Sequence, residues 1–369
     1  MNMKPKMLVG FIMDGKAGGV DKYILSLLQI ASDKYDIDVL TNYNSTELKK
    51  QLKQQGIGLY QVPSLSHPIA QYNQIKKLIE EKRYDVAYLN TSTAIMIPMM
   101  VAAHKCKVPV RVVHSHSSGV DIKNKWKKHL VLVVHKCGKL LLGRVANKYI
   151  ACSNKAGEWM FSKKIMETSA DYAVIPNTVD IVKYQFNEMN RIQLRKQLGI
   201  KEELLLGHIS NFQPVKNTPF LVEILKEITY HTENVKLLFV GDGPEKQNCM
   251  EKAKQLGVDD KIIDMGYQKN IADFYHAMDF FLLPSLFEGF PIVSIEAQAS
   301  SVACIFSENI TNEVKLSSKT YFLPTENAAK RWADCILENY PYERKDVLLF
   351  DRINQYDSSK LQETFLNVF

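Results

Sequence analysis

Phe280-Phe281-Leu282-Leu283-Pro284-Ser285-Leu286-Phe287-Glu288-Gly289-Phe290-Pro291-Ile292-Val293-Ser294-Ile295-Glu296-Ala297 is the stretch from which the fold can be read. Four consecutive apolar residues, 280–283, have the length of a buried strand. A loop punctuated by glycine and proline follows, and a helix is expected to start near Ile292. Gly289 lets the loop backbone approach a ligand closely, and Pro291 stiffens it. The first N–H groups of such a helix favour an anion.

The same pattern extends outward in both directions. Apolar runs at 7–13, 37–40, 87–89, 110–113 and 149–151 precede loops and helical stretches. A second series lies at 204–209, 235–240, 262–265, 280–283 and 302–305. Short apolar runs alternating with helices indicate parallel βαβ units. The expected fold is therefore α/β, with two doubly wound, Rossmann-like domains facing a cleft. Pro176 and Asn177 punctuate the chain before a charged, poorly periodic stretch. Domains are expected at 1–178 and 179–345, with a helical tail at 346–369 that could pack back on the first. In such sheets ligands bind beyond the carboxyl ends of the strands, so residues just after strands are the ones to weigh.

Composition narrows the class. With 46% hydrophobic and 24% charged residues, the 369-residue chain is neither disordered nor collagenous nor polytopic. Its net charge of +7 resides in one place. Between Asp121 and Ile150 stand Lys123, Lys125, Lys127, Lys128, Lys136, Lys139, Arg144 and Lys148, with Asp121 the one acid. The rest of the chain sums to zero, which argues against a general nucleic-acid-binding coat. Little aromatic interleaving in the patch argues the same way.

Residues 126–148 read as a helix. At 100° per residue Trp126, Leu130, Val133, Val134, Cys137, Leu140 and Leu141 share one face, and Lys128, His129, His135, Lys136 and Lys139 share the other. Leu132 falls among the lysines. One reading is an ordinary amphipathic helix with solvated lysines. The favoured one is an interfacial helix, with Lys128, Lys136 and Lys139 on anionic lipid and Leu132 inserted.

The six cysteines form no C-x-x-C pair and join no histidine cluster. They read as reduced, which points to the cytosol. The apolar N-terminus is short and runs directly into Asp14 and Lys16, so it reads as a first strand rather than a leader.

Glu288 before the helix and Glu296 one turn inside it can each take a pair of hydroxyls. The whole string resembles the E-x7-E signature of glycosyltransferase family 4 type retaining nucleotide-sugar transferases, whose two-domain fold is called GT-B. Gly18-Gly19, Val113-His114-Ser115-His116, Val174-Ile175-Pro176-Asn177, Lys216-Asn217 and Leu238-Phe239-Val240-Gly241-Asp242-Gly243-Pro244 resemble family landmarks in the right order. The likeness covers about residues 7–325 and is strongest to bacterial capsule and exopolysaccharide enzymes.

The resemblance implies a set of roles. Glu288 would contact the donor sugar and Glu296 the ribose hydroxyls. Backbone N–H groups of Gly289, Phe290, Pro291-linked Ile292 and Val293 would hold sugar hydroxyls and diphosphate. Lys216 would neutralise the leaving diphosphate without a metal. His116 would lie beside the sugar and donate a hydrogen bond, while His114 would point away and pack. Gly18 and Gly19 would allow close approach of a phosphate or acceptor, and Tyr267 would stand near the base. Where the family usually has Arg, five residues before the lysine, this chain has Asn211, which carries no charge. No cofactor or metal is expected. The resemblance implies transfer of a hexose, most readily from a UDP-sugar, to a glycan or lipid-linked acceptor at the inner face of the plasma membrane. Asn211 keeps open a non-catalytic sugar-nucleotide-binding partner of another transferase, and the fold an epimerase.

Overall fold

The computed structural model describes residues 4–13, 18–120, 122 and 124–360. The chain divides between Asn177 and Thr178 into two units. In the first, seven parallel strands run β1 (Lys6–Ile12), β2 (Asp36–Thr41), β3 (Gly58–Gln61), β4 (Val86–Thr91), β5 (Val110–Ser115), β6 (Lys148–Ala151) and β7 (Tyr172–Val174). Their spatial order is β3-β2-β1-β4-β5-β6-β7. In the second, β8 (Leu204–Ile209), β9 (Val235–Val240), β10 (Ile262–Asp264), β11 (Phe280–Leu283), β12 (Ala303–Ser307) and β13 (Thr320–Leu323) lie in the order β10-β9-β8-β11-β12-β13. Every pairing is parallel.

The strand order positions the sites. It reverses between β1 and β4 in the first sheet and between β8 and β11 in the second. At such a reversal the loops leaving the two strands diverge to opposite faces and open a crevice. β4, β8, β11 and β12 are buried along their whole length, as strands covered on both faces must be. The helix Pro219–Thr229 covers the second sheet with Phe220, Leu221, Ile224, Leu225 and Ile228, and Trp332 meets Phe220 edge-on at 5.6 Å.

Three strands escaped the sequence reading: β3, β7 and β13. All are edge strands of three or four residues with largely half-buried side chains, so no continuous apolar run marks them. The stretch after the boundary forms the helix Glu188–Gln197, whose Arg191 and Arg195 reach Asp279 at 2.6 and 3.2 Å.

In the expected tail, the 3-10 turns Arg344–Asp346 and Asp351–Tyr356 lie within the second unit, and residues 358–360 are helical. Tyr356 stacks on Phe290 at 5.1 Å, and the Val179 N–H donates to the Tyr356 carbonyl at 2.8 Å. Residues 361–369, on which the expectation of packing back also rested, lie outside the described residues.

Candidate functional site

The crevice between β8 and β11 gathers what the sequence separates by about seventy positions. The loop after β8 ends in a 3-10 turn, Pro214–Lys216, closed by Asn217 in the left-handed region at φ 51°. The loop after β11 carries Ser285 to Pro291. The Leu286 N–H donates to the Val215 carbonyl at 2.8 Å and ties the two loops together. Lys216 Nζ then lies 2.5 Å from Glu288 Oε1, and Ser285 Oγ donates to the same oxygen at 2.8 Å. The helix Ile292–Ala299 begins beside this pair, and no side chain caps it. Its first N–H groups and one ammonium thus converge on one crevice, which suits a polyanion. Phe290 is buried against Tyr356, so its ring is not available to a ligand.

Beneath the crevice, His208 locks the two strands. Its Nδ1 lies 2.8 Å from the Leu282 carbonyl, an obligate acceptor, so Nδ1 carries the proton. Nε2 therefore accepts from Ser210 Oγ, also at 2.8 Å, and the ring is neutral.

Glu296 falls one turn inside the helix, as expected, but it is buried rather than solvated. Tyr184 donates to one oxygen at 3.0 Å and Tyr275 to the other at 2.8 Å. Burial first, then the Glu296 charge, pushes both phenols up, so they remain donors. Neither tyrosine was legible in the sequence, since Tyr184 lies in the stretch after the domain boundary and no spacing links it to Glu296.

The Gly241-Asp242-Gly243 turn is a packing device. A Cβ at Gly241 would overlap the Ser210 carbonyl and one at Gly243 the Asn211 carbonyl. Lys246, just beyond it, is paired with Asp264 and lies over the Phe212 ring at 4.2 Å.

In the first unit, His114 and His116 sit at the end of β5, next to the reversal point. The expectation that His114 points away is corrected: the rings are 4.0 Å apart. Side chains two residues apart in an extended chain share a face. Tyr88 OH lies 2.9 Å from His114 Nδ1 and 3.0 Å from Tyr23 OH, a buried polar chain. The tautomer of His116 follows from its neighbour. Asn90 Nδ2 donates to the Gly10 carbonyl at 3.2 Å, so Asn90 turns Oδ1 toward His116 Nε2, which must donate at 2.9 Å. His116 Nδ1 is left as a buried acceptor without a partner. The polarity is the reverse of that expected: the free nitrogen accepts.

Residues 17–183 match the family described as Glycosyltransferase Family 4, and residues 190–338 match Glycosyl transferases group 1. The chain belongs to the family 4 type glycosyltransferases. It is 28% identical over 320 residues to "Putative glycosyltransferase EpsF" of Bacillus subtilis, spanning 85% of this chain and 82% of the relative. It is 24% identical to "Capsular polysaccharide biosynthesis glycosyltransferase CapH" of Staphylococcus aureus, spanning 95% and 96%. The crystal structure of Anabaena HepE in complex with UDP and glucose shares the fold, with a TM-score of 0.77, 20% identity and 98% coverage of both chains. Both sheets of the glycosyltransferase are those of the GT-B fold.

Other expected site residues of the glycosyltransferase are placed as follows. Gly18 opens the helix Gly18–Ala31 at φ 74°, with Gly19 exposed beside it, while 14–17 of the same loop lie outside the described residues. Tyr267 is exposed after β10, free to present a ring face. Asn211 Oδ1 is buried with no partner. Among the described residues no group of three or more His, Cys, Asp or Glu is placed to hold a metal.

The basic helix of the glycosyltransferase, Lys125–Val145, inverts the expected burial. It buries His135, Gly138, Leu142 and Val145. The Ala94 N–H donates to His135 Nδ1 at 3.0 Å, His135 Nε2 donates to the Trp159 carbonyl at 2.9 Å, and the two rings stack at 4.0 Å. A Cβ at Gly138 would overlap the Ala94 carbonyl, so only glycine lets the helix approach so closely. Leu132 and Lys139, expected at a lipid surface, are half-buried, and Lys139 Nζ donates to the Glu158 carbonyl at 2.8 Å. Lys128 and Lys136 are exposed.

Buried neutral histidines make stability pH-dependent. Burial lowers His116 to about 3 and His208 to about 4, and burial then the adjacent His116 hold His114 well below 6.5. Below about 6.5 the unfolded chain binds protons that the native rings refuse. Stability is full above that pH and falls as pH drops toward about 4, by up to about 1.4 kcal/mol per pH unit for each ring. Urea midpoints should decline steadily between about pH 6.5 and 4.5. A flat profile there would contradict the neutral assignments.

Proposed function

We propose that this glycosyltransferase moves a hexose from a nucleoside diphosphate, a UDP-sugar, to a glycan or lipid-linked acceptor, with retention of configuration, in the synthesis of a cell-surface polysaccharide. The observation that carries the reading is the Lys216–Glu288 pair beside the uncapped N-terminus of helix Ile292–Ala299. The names of EpsF and CapH and the UDP and glucose bound by HepE support the substrate class.

In this reading Lys216 and the N–H groups of Ile292 and Val293 take the charge of the leaving diphosphate, so no metal or other cofactor is needed. Glu288, relieved of its lysine as the phosphates bind, accepts from hydroxyls of the sugar. Glu296 accepts from the ribose diol. His116 Nδ1 accepts from a sugar hydroxyl. A leaving phosphate oxygen takes the proton of the attacking acceptor hydroxyl. Gly289 gives the loop its close approach, Gly18 and Gly19 border the acceptor, and Tyr267 lies against the base. The chain would work in the cytoplasm, at the inner face of the plasma membrane.

Transfer or hydrolysis across a panel of UDP- and GDP-sugars, with the product anomer read by NMR, tests the reading. Glu296→Gln should raise KM for the nucleotide sugar about tenfold to hundredfold while kcat moves little. Unchanged KM would remove Glu296 from the ribose site. Asn211 favours a second reading, a sugar-nucleotide-binding partner of another transferase, because a neutral amide stands where a guanidinium would grip phosphate. UDP binding with no turnover of any donor would support that reading and reject the first.

A further inference from the structure

The helix Lys125–Val145 turns an apolar face to solvent. Trp126 is 87% exposed, and Leu130, Val133, Val134, Leu140 and Leu141 are exposed with it. Six of the eighteen exposed large apolar or aromatic side chains among the described residues lie on this one helix. At 100° per residue they and Cys137 fill an arc of about 120°. Lys125, His129 and Lys136 border one edge of that arc, Lys127 the other, and Arg144 its far end. The helix cannot roll to hide this face, because His135, Gly138 and Lys139 fix the opposite one through Ala94, Trp159 and Glu158.

We propose that this face lies in the plane of an anionic lipid surface, with Trp126, Leu130, Val133 and Leu140 in the headgroup–acyl boundary and Lys125, Lys127, Lys136 and Arg144 on lipid phosphates. Charge selects the occupant. No acid stands between Asp121 and Glu158, so the apolar arc is framed by cations alone. A second copy would set the same cations against themselves, since a twofold interface repeats one patch. Lipid supplies both an apolar layer and a negative surface. The helix is about 30 Å long, and no helix among the described residues is long and apolar enough to cross a membrane. The proposal differs from the expectation raised by the sequence in the face used: Leu132 and Lys139 take no part. It also stands apart from donor chemistry, because its readout is binding.

The test is co-sedimentation of the full chain with vesicles of phosphatidylcholine alone and of equal parts phosphatidylcholine and phosphatidylglycerol. Binding is expected to the anionic vesicles only and to weaken with salt. Lys125→Gln and Lys136→Gln should each weaken it about fivefold, and Leu130→Ser with Leu140→Ser at least about tenfold. Lys128→Gln, off the arc, should change it less than about twofold. All these side chains are exposed, so unfolding midpoints should hold. Equal binding to both vesicle types, binding to neither, or indifference to the arc variants overturns the proposal. So does a dimer in the absence of lipid that Leu130→Ser with Leu140→Ser dissolves.

Discussion

Replacing Lys216 by alanine is expected to lower kcat for sugar transfer by about 10²–10³-fold, with a smaller rise in KM. The bond to the leaving diphosphate breaks in the transition state, so charge grows on that oxygen as the ammonium is needed most. Lys216 is the cation paired with Glu288, four residues before the helix Ile292–Ala299, and Asn211 supplies no second one. Lys216→Arg should recover part of the loss, because it restores charge with a different reach. The variant also leaves Glu288 with Ser285 and without its cation in a shielded crevice. A urea titration run alongside separates a folding defect from a catalytic one. A kcat within about threefold of the parent, on folded protein, would take Lys216 out of the reaction.

The second large effect is on stability. Asp279, buried just before β11, accepts from Arg191 at 2.6 Å, from Arg195 at 3.2 Å and from the Leu205 N–H at 2.8 Å. Both guanidinium groups also donate to backbone carbonyls, Arg191 to 276–278 and Arg195 to Ala277 and Glu203. One carboxylate therefore neutralises two largely buried cations and pins the helix Glu188–Gln197 to the starts of β8 and β11. Asp279→Ala should cost about 3–5 kcal/mol, since it strands charge rather than deleting a contact. That is a large share of the roughly 5–15 kcal/mol that holds a domain together. Asp279→Leu combined with Arg191→Met and Arg195→Met should lose less than Asp279→Ala, because apolar replacements leave no orphaned charge. A loss below about 1 kcal/mol for Asp279→Ala would mean water reaches the pair.

What was legible followed from solvent exclusion. Interior strands such as β8, β9, β11 and β12 are covered on both faces and show as predominantly apolar runs. Edge strands β3, β7 and β13 need no such run and left none. Glu288, Glu296 and Lys216 were singled out because glycine, proline and a following helix mark loops where backbone can approach a ligand. Tyr184, Tyr275, Asn90, Tyr88 and Ser285 were not, because a hydrogen-bond partner is chosen by proximity across the sheet and carries no sequence period.

The helix Lys125–Val145 marks the limit most clearly. Its amphipathic period was plain, yet period says only that two faces differ. Which face turns inward was decided by a glycine that admits the Ala94 carbonyl and by His135 between Ala94 and Trp159. The sequence alone determined two parallel α/β units, their strand-end loops and the location of the positive charge. Tertiary structure alone decided which loops meet, which nitrogen of His116 is free and which side of the basic helix faces out. The first set depends on local burial patterns along the chain. The second depends on strand order and on single close contacts between residues far apart in sequence.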